Sequence, residues 1–264
     1  MRVDVTNPLW RFRGLRATTW VFFAYLYLPI VVLIVLSFNE NRLATIWSGF
    51  STQWYGIVLA NDDIIRAATN SIIVATVATL AATLAATLAA LGMSKGRFRG
   101  ADGISGLLAL PLVVPEIVTA VATLLFFILI GFNLGLMTVI VAHTVFCIPF
   151  AYLPIRARLE GMDKALGEAA ADLYANDWRA FQRVTLPLLW PGILSGGMLA
   201  FIISLDDFVI TYFVAGAGAT TLPVYIFGMI RIGITPEVNA ISSLMLIVSI
   251  LFVTLSFLIG RMRR

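Results

Sequence analysis

Glu116, Asp206 and Asp207 are ionisable side chains in an expensive place: each stands inside an apolar run long enough to cross a bilayer. Such a residue is a functional candidate until its partner is named. The chemistry open to these acids is to hold a cation or to carry a proton. With an aromatic ring such as Tyr212 nearby, the cation could be an ammonium, held by carboxylates and by cation–π contact. Structural alternatives stand beside that reading. Asp206 or Asp207 could cap a broken helix or pair with a base on another chain. Glu116 could sit neutral between Pro111, Pro115 and freed backbone groups. No Lys or Arg lies inside any apolar run, so no basic partner for the acids is expected within the spans, and a cation must come from elsewhere or the acids are protonated. At ~1.5 Å per helical residue, Glu116 is expected roughly 18 Å into its run and Asp206 roughly 24 Å into its own, between the middle and the outer half of the membrane. Adjacent aspartates point in different directions on a helix, so a single path would meet one of them.

His143 and Cys147 lie four apart in another run and share a helix face. Two ligands do not make a typical metal site, and no acid in that run joins them. A packed or hydrogen-bonded histidine and a small apolar cysteine are expected. No Ser/His/Asp arrangement, zinc motif or dinucleotide loop appears, and no G-x4-G-K-[ST] phosphate loop. An enzyme is not expected, and any nucleotide chemistry would have to sit on a separate chain. The single cysteine excludes an intramolecular disulfide framework.

The elements that must position these residues follow from composition. Of 264 residues, 60% are hydrophobic and 12% charged, with mean hydropathy +0.97. A soluble domain carries roughly 25% charged residues, so this chain cannot cover a water-facing surface and its solvent is lipid. A spanning helix needs about 20 apolar residues, and six runs qualify: 18–38, 71–93, 104–130, 136–155, 190–213 and 240–260. Continuous runs without period-two alternation predict helices rather than barrel strands. The first run follows Arg11, Arg13 and Arg16, but it exceeds the roughly 7–15 residues of a signal core and no small-x-small site follows; an uncleaved first span is expected. With the N-terminus inside, the cytoplasmic pieces are the N-tail, 94–103, 156–189 and the C-tail. They hold every Lys and Arg except Arg42, Arg66 and Arg231. That asymmetry fits the positive-inside rule, puts both termini in the cytoplasm, and explains the basic balance without nucleic acid. The Ala- and Thr-rich second run and the Gly192/Gly196 pair predict close helix crossings. Trp47, Phe50, Trp54 and Tyr55, between the first two runs, are expected as interfacial anchors.

One polar island interrupts this pattern, "EAAADLYANDWRAFQRVTLP" at 168–187. Glu168 opens a helical pattern with Ala169, Ala170 and Leu173 on one side. Asn176 or Asp177 can cap a second short helix carrying Trp178, Phe181 and Val184. Pro187 suits the first turn of the next span. Such a pair of helices either packs on its own bundle or offers apolar side chains to a groove in another protein.

The island resembles the cytoplasmic signature of ABC-importer permeases, E-A-A-x3-G-x9-I-x-L-P. Glu168, Ala169, Ala170, Leu186 and Pro187 match; Val184 replaces Ile, and Tyr174 stands where glycine allows the turn. Tyr174 must therefore adopt a left-handed backbone at a cost or shift the turn toward Asn176. "WSGFSTQWYG" (47–56), "TNSI" (69–72), "SLDDFVITYFVAGAGATTLPV" (204–224) and "TPEVNA" (235–240) extend the likeness to the spermidine/putrescine permeases, of the second permease-subunit type.

The resemblance implies an all-α polytopic chain of six transmembrane helices in the type I ABC-importer fold. Residues 1–264 would form a single permease domain, with 156–189 as the ATPase-coupling loop inside it. Glu168, Ala169, Ala170, Leu173, Tyr174, Phe181, Leu186 and Pro187 would couple, and Glu116, Asp206, Asp207 and Tyr212 would line the substrate path. It implies a bacterial inner-membrane location and as partners a second, related permease, two ATP-binding subunits and a periplasmic polyamine-binding protein, which segment 39–70 could help receive. No cofactor is expected in this chain, ATP and Mg belonging to the ATPase. An importer for another small organic solute, and a stand-alone ion-coupled carrier, are the alternatives. The coupling loop argues against the carrier.

Overall fold

The computed structural model describes residues 13–42, 46–94, 99–163 and 165–262. Of the basic residues behind the expected orientation, Arg2, Arg11, Lys95, Arg97, Lys164, Arg263 and Arg264 lie outside the described residues. The described chain is helical: α1 (Arg13–Leu36), α2 (Gln53–Ala60), α3 (Asp62–Ser94), α4 (Ala101–Val113), α5 (Glu116–Leu129), α6 (Leu136–Glu160), α7 (Ala165–Asp172), α8 (Asp177–Ala180), α9 (Leu186–Asp206), α10 (Val209–Val214), α11 (Leu222–Ile232) and α12 (Pro236–Met262). Five stretches are long and apolar enough to span a membrane alone, and α4 with α5 makes a sixth, bent by 112° at its break. The span expected over 104–130 is thus built from two helices with a break between them. Pro115 pushes Val114 into an extended backbone (ψ 132°), as a residue before proline prefers, and the helix restarts at Glu116.

Two compact units divide the chain. One takes 1–61 and 229–247. In it α1 keeps its apolar surface outward, with none of its spanning stretch buried, as a helix solvated by lipid would. Beyond α1, buried Asn39 organises a loop. Its Oδ1 accepts the Asn41 and Ser48 N–H groups (3.3 and 3.2 Å), its Nδ2 donates to Ile46 O (2.8 Å), and its own carbonyl accepts Trp54 Nε1 (2.7 Å). Trp54 is buried there while Trp47 and Phe50 stay exposed, so Trp54 is a loop anchor and not an interfacial one.

The other unit takes 62–228 and 248–264. Helices α3, α6 and α9 pack on one another as its core, and α10 packs on α5 and α6. The sequence explains the closeness. Ala75, Ala78, Ala82, Ala86 and Ala90 recur every three or four residues and form one buried stripe along α3. A Cβ on Gly196 would lie 2.5 Å from Ala151 O, and one on Gly192 2.6 Å from Arg158 Cβ. Glycine is required at both crossings of α9 over α6. Small residues thus set the helix spacing here.

The span expected at 190–213 begins and ends elsewhere. From Asp177 a continuous helix runs through a π turn at Phe181–Thr185 into α9 and stops at Asp206. The second short helix expected in the island is the first turn of that long helix. In the π turn the Leu186 N–H reaches Phe181 O. The wider turn absorbs the crowding that Pro187 brings to a helix interior, so no break is needed.

Candidate functional site

Asp207 sits where α9 stops and α10 has not begun, with an extended backbone (φ −63°, ψ 127°). Its carboxylate holds the start of α10: Oδ1 accepts the Thr211 N–H (3.0 Å) and hydroxyl (3.1 Å), and Oδ2 the Ile210 N–H (3.4 Å). This is a capping role for a carboxylate at a helix start. His143, from α6, brings Nε2 to 3.0 Å from Asp207 Oδ1 and 2.9 Å from Thr211 Oγ1, while Nδ1 lies 2.8 Å from Ser204 Oγ in the last turn of α9. With Nε2–H as donor toward Asp207, Nδ1 is left to pair with the Ser204 hydroxyl. All four residues are buried.

Glu116, the first residue of α5, is half-buried, and α5 packs on α10. Helices α6, α9 and α10 therefore meet at one polar junction inside an apolar bundle. The earlier expectation that no base within the spans could partner the acids is corrected, because His143 partners Asp207. Its ring lies 61 and 68 residues from Ser204 and Thr211 in sequence, a pairing that only the tertiary fold creates. Cys147, one turn along α6, is buried and donates to Ala200 O (3.6 Å). The described residues hold no metal-binding cluster.

Asp206 differs. It is exposed at the end of α9 and has no hydrogen-bond or ion-pair partner among the described residues. Two residues on, Phe208 meets Tyr212 (ring centroids 5.3 Å) and Phe227 (4.6 Å), and Tyr212 meets Phe227 edge-on (6.0 Å). Tyr212 remains 46% exposed. The arrangement offers one carboxylate without a cation and three rings, groups that suit an organic ammonium. Tyr212 was legible as a candidate; Phe208 and Phe227 were not singled out, although Phe208 directly follows the aspartates. An apolar cavity of about 570 Å³ lies between the α4–α5 elbow and α6. Its lining includes Leu107, Pro111, Phe126 and Pro149 and no charged residue.

The island forms a second candidate surface. Tyr174 takes a left-handed backbone, φ 59°, so it fills the turn position itself. The turn does not shift to Asn176, whose side chain instead caps α8 by accepting the Arg179 N–H (2.9 Å). Glu168 and Ala169 face outward and Ala170 is buried, so the three do not share one exposed face. Leu173 and Tyr174 are 81% and 95% exposed, and exposed Trp178 stacks on Phe181 (5.6 Å). Leu186 is half-buried and Pro187 exposed on the following turn.

Residues 82–264 match the family model for the inner membrane component of binding-protein-dependent transport systems. The chain belongs to that family. Among relatives, the permease is 41% identical over 251 residues to the spermidine/putrescine transport system permease protein PotC of Haemophilus influenzae, covering 95% of this chain and 98% of that protein. It is 39% identical to the putrescine transport system permease protein PotI of Escherichia coli, covering 85% and 82%. Its fold is shared with a chain of a bacterial ABC transporter for import of the acidic polysaccharide alginate (TM-score 0.70, 16% identity, 99% of this chain and 98% of that one). A chain of the MetNI methionine ABC transporter also shares it (TM-score 0.66, 19% identity, 76% and 95%). The permease is thus an all-α, multi-pass inner-membrane subunit with the ABC-importer permease fold.

Proposed function

We propose that this permease moves polyamines, spermidine or putrescine, from periplasm to cytoplasm as one half of the membrane channel of an ATP-driven importer. One fold serves alginate and methionine transporters, so the fold does not choose the cargo. The observation that carries the choice is local: an exposed Asp206 carboxylate two residues before Phe208, whose ring meets those of Tyr212 and Phe227, in a chain whose relatives are named for spermidine and putrescine. Glu116 and Asp207 shape the wall of that path.

The partners follow from the same reading: a second related permease, two copies of an ATPase that holds ATP and Mg, and a periplasmic polyamine-binding protein. Both termini and the 156–189 loop face the cytoplasm, as the basic residues there favour. Glu168, Ala169, Leu173, Tyr174 and the Trp178–Phe181 stack dock on the ATPase. Ala170, Leu186 and Pro187 seat this surface on the bundle. The unbroken helix from Asp177 to Asp206 is about 45 Å long at ~1.5 Å per residue. Closure of the ATPase pair would pull that rod and move the break at Asp207, switching the path from inward- to outward-facing. Reconstitution tests this reading: labelled spermidine should enter vesicles when the full complex hydrolyses ATP and not when the permease is alone. ATPase-independent uptake by the isolated chain would point to a stand-alone carrier.

A further inference from the structure

We infer that His143 is a positioning residue for the cation path, holding the break between α9 and α10 so that Asp206 and the Phe208 ring keep their places. The inference rests on the assignment of those groups to the path. His143 is the chain's one histidine and is itself sealed from solvent, so it acts through others. Its two ring nitrogens reach both sides of the break: Ser204 before it, at 2.8 Å, and Thr211 after it, at 2.9 Å, with Asp207 at 3.0 Å from the same nitrogen as Thr211. Asp206 and Phe208 flank Asp207 in sequence, so their directions depend on how Asp207 is held. The imidazole ties the end of one helix to the start of the next from a third. An apolar side chain of similar size would fill the volume and lose the tie, leaving Asp207 and Ser204 short of a buried partner.

The test uses the full complex in vesicles with two readouts. One is the spermidine concentration that half-saturates uptake. The other is the rate at which a cationic thiol reagent labels Asp206→Cys in a Cys147→Ala background, with exposed Asp102→Cys as a distant control. His143→Leu is expected to raise half-saturation about tenfold, the scale of one lost hydrogen bond to a charged group. It should also change labelling at 206 at least severalfold and leave labelling at 102 unaltered. His143→Gln, which keeps a donor and an acceptor, should recover most of both. Half-saturation and labelling at 206 that both stay at wild-type values, or a Gln variant no better than Leu, would overturn the inference. Should His143→Leu fail to assemble, Ser204→Ala and Thr211→Val cut the tie one side at a time, and unchanged labelling in both overturns it equally. A wild-type complex that takes up no spermidine removes the cargo reading, and the labelling comparison still decides the role of His143.

Discussion

Asp206 and Asp207 are neighbours in sequence and opposites in environment: Asp207 is buried under three hydrogen bonds and a histidine, while Asp206 stands exposed with no partner among the described residues. The break in the helix separates them. A continuous helix would have carried both toward the same end of α9, and neither the cap on α10 nor the free carboxylate would exist.

The two aspartates should therefore fail differently. Asp207→Ala strips buried donors of their acceptor and is expected to cost about 2–4 kcal/mol, seen as a lower unfolding temperature in detergent and poor assembly. Asp206→Ala should leave thermal stability within about 0.5 kcal/mol of wild type. Equal destabilisation by the two would contradict the environments described.

Glycines should divide by geometry. Gly196→Ala places a methyl 2.5 Å from Ala151 O and must push α9 off α6, costing about 1–3 kcal/mol. Gly92→Ala, in a helix with nothing within 4 Å of the new atom, should be neutral or stabilising by up to about 1 kcal/mol. Unfolding midpoints of the two variants check the sign as well as the size.

Tyr174 carries the backbone strain that glycine relieves in the family signature. Tyr174→Gly should stabilise the hairpin by about 1 kcal/mol, and Tyr174→Val should weaken it, because a β-branched residue tolerates φ 59° least. Protease sensitivity between α7 and α8 reports either change.

Coupling can be dissected along α7. Leu173→Arg and Glu168→Arg alter exposed positions and should uncouple ATP hydrolysis from uptake while the protein stays in the membrane. Ala170→Trp enlarges a buried position and should lower the amount of assembled protein as well. Coupled transport in all three would remove the docking assignment.

How much of this was legible in the sequence depended on whether the signal was local. Hydropathy located the spans because each run is continuous, and the Ala- and Thr-rich composition of α3 announced a closely packed helix. The breaks were legible only as alternatives, Asp206 or Asp207 capping a broken helix and Glu116 beside Pro111, Pro115 and freed backbone groups, since a hydropathy window averages across Val114–Pro115 and Asp207–Phe208. Proline alone could not have marked them: Pro29, Pro111, Pro149, Pro154 and Pro191 all lie inside helices. What distinguishes the real breaks is a carboxylate placed to restart the chain, Glu116 after Pro115 and Asp207 before α10. His143 was legible as a hydrogen-bonded histidine but not as the partner of an acid, because nothing local links residue 143 to residues 204–211. The capping of α8 by Asn176 was readable, whereas the π turn that makes α8 continuous with α9 has no signature beyond Pro187.

The measurement that tests the central claim most directly is labelled-spermidine uptake into vesicles holding the full complex, wild type beside Asp206→Asn. The account predicts uptake reduced at least about tenfold, with assembly and basal ATP hydrolysis preserved. Wild-type uptake by Asp206→Asn would contradict it and leave the exposed carboxylate with no part in the path.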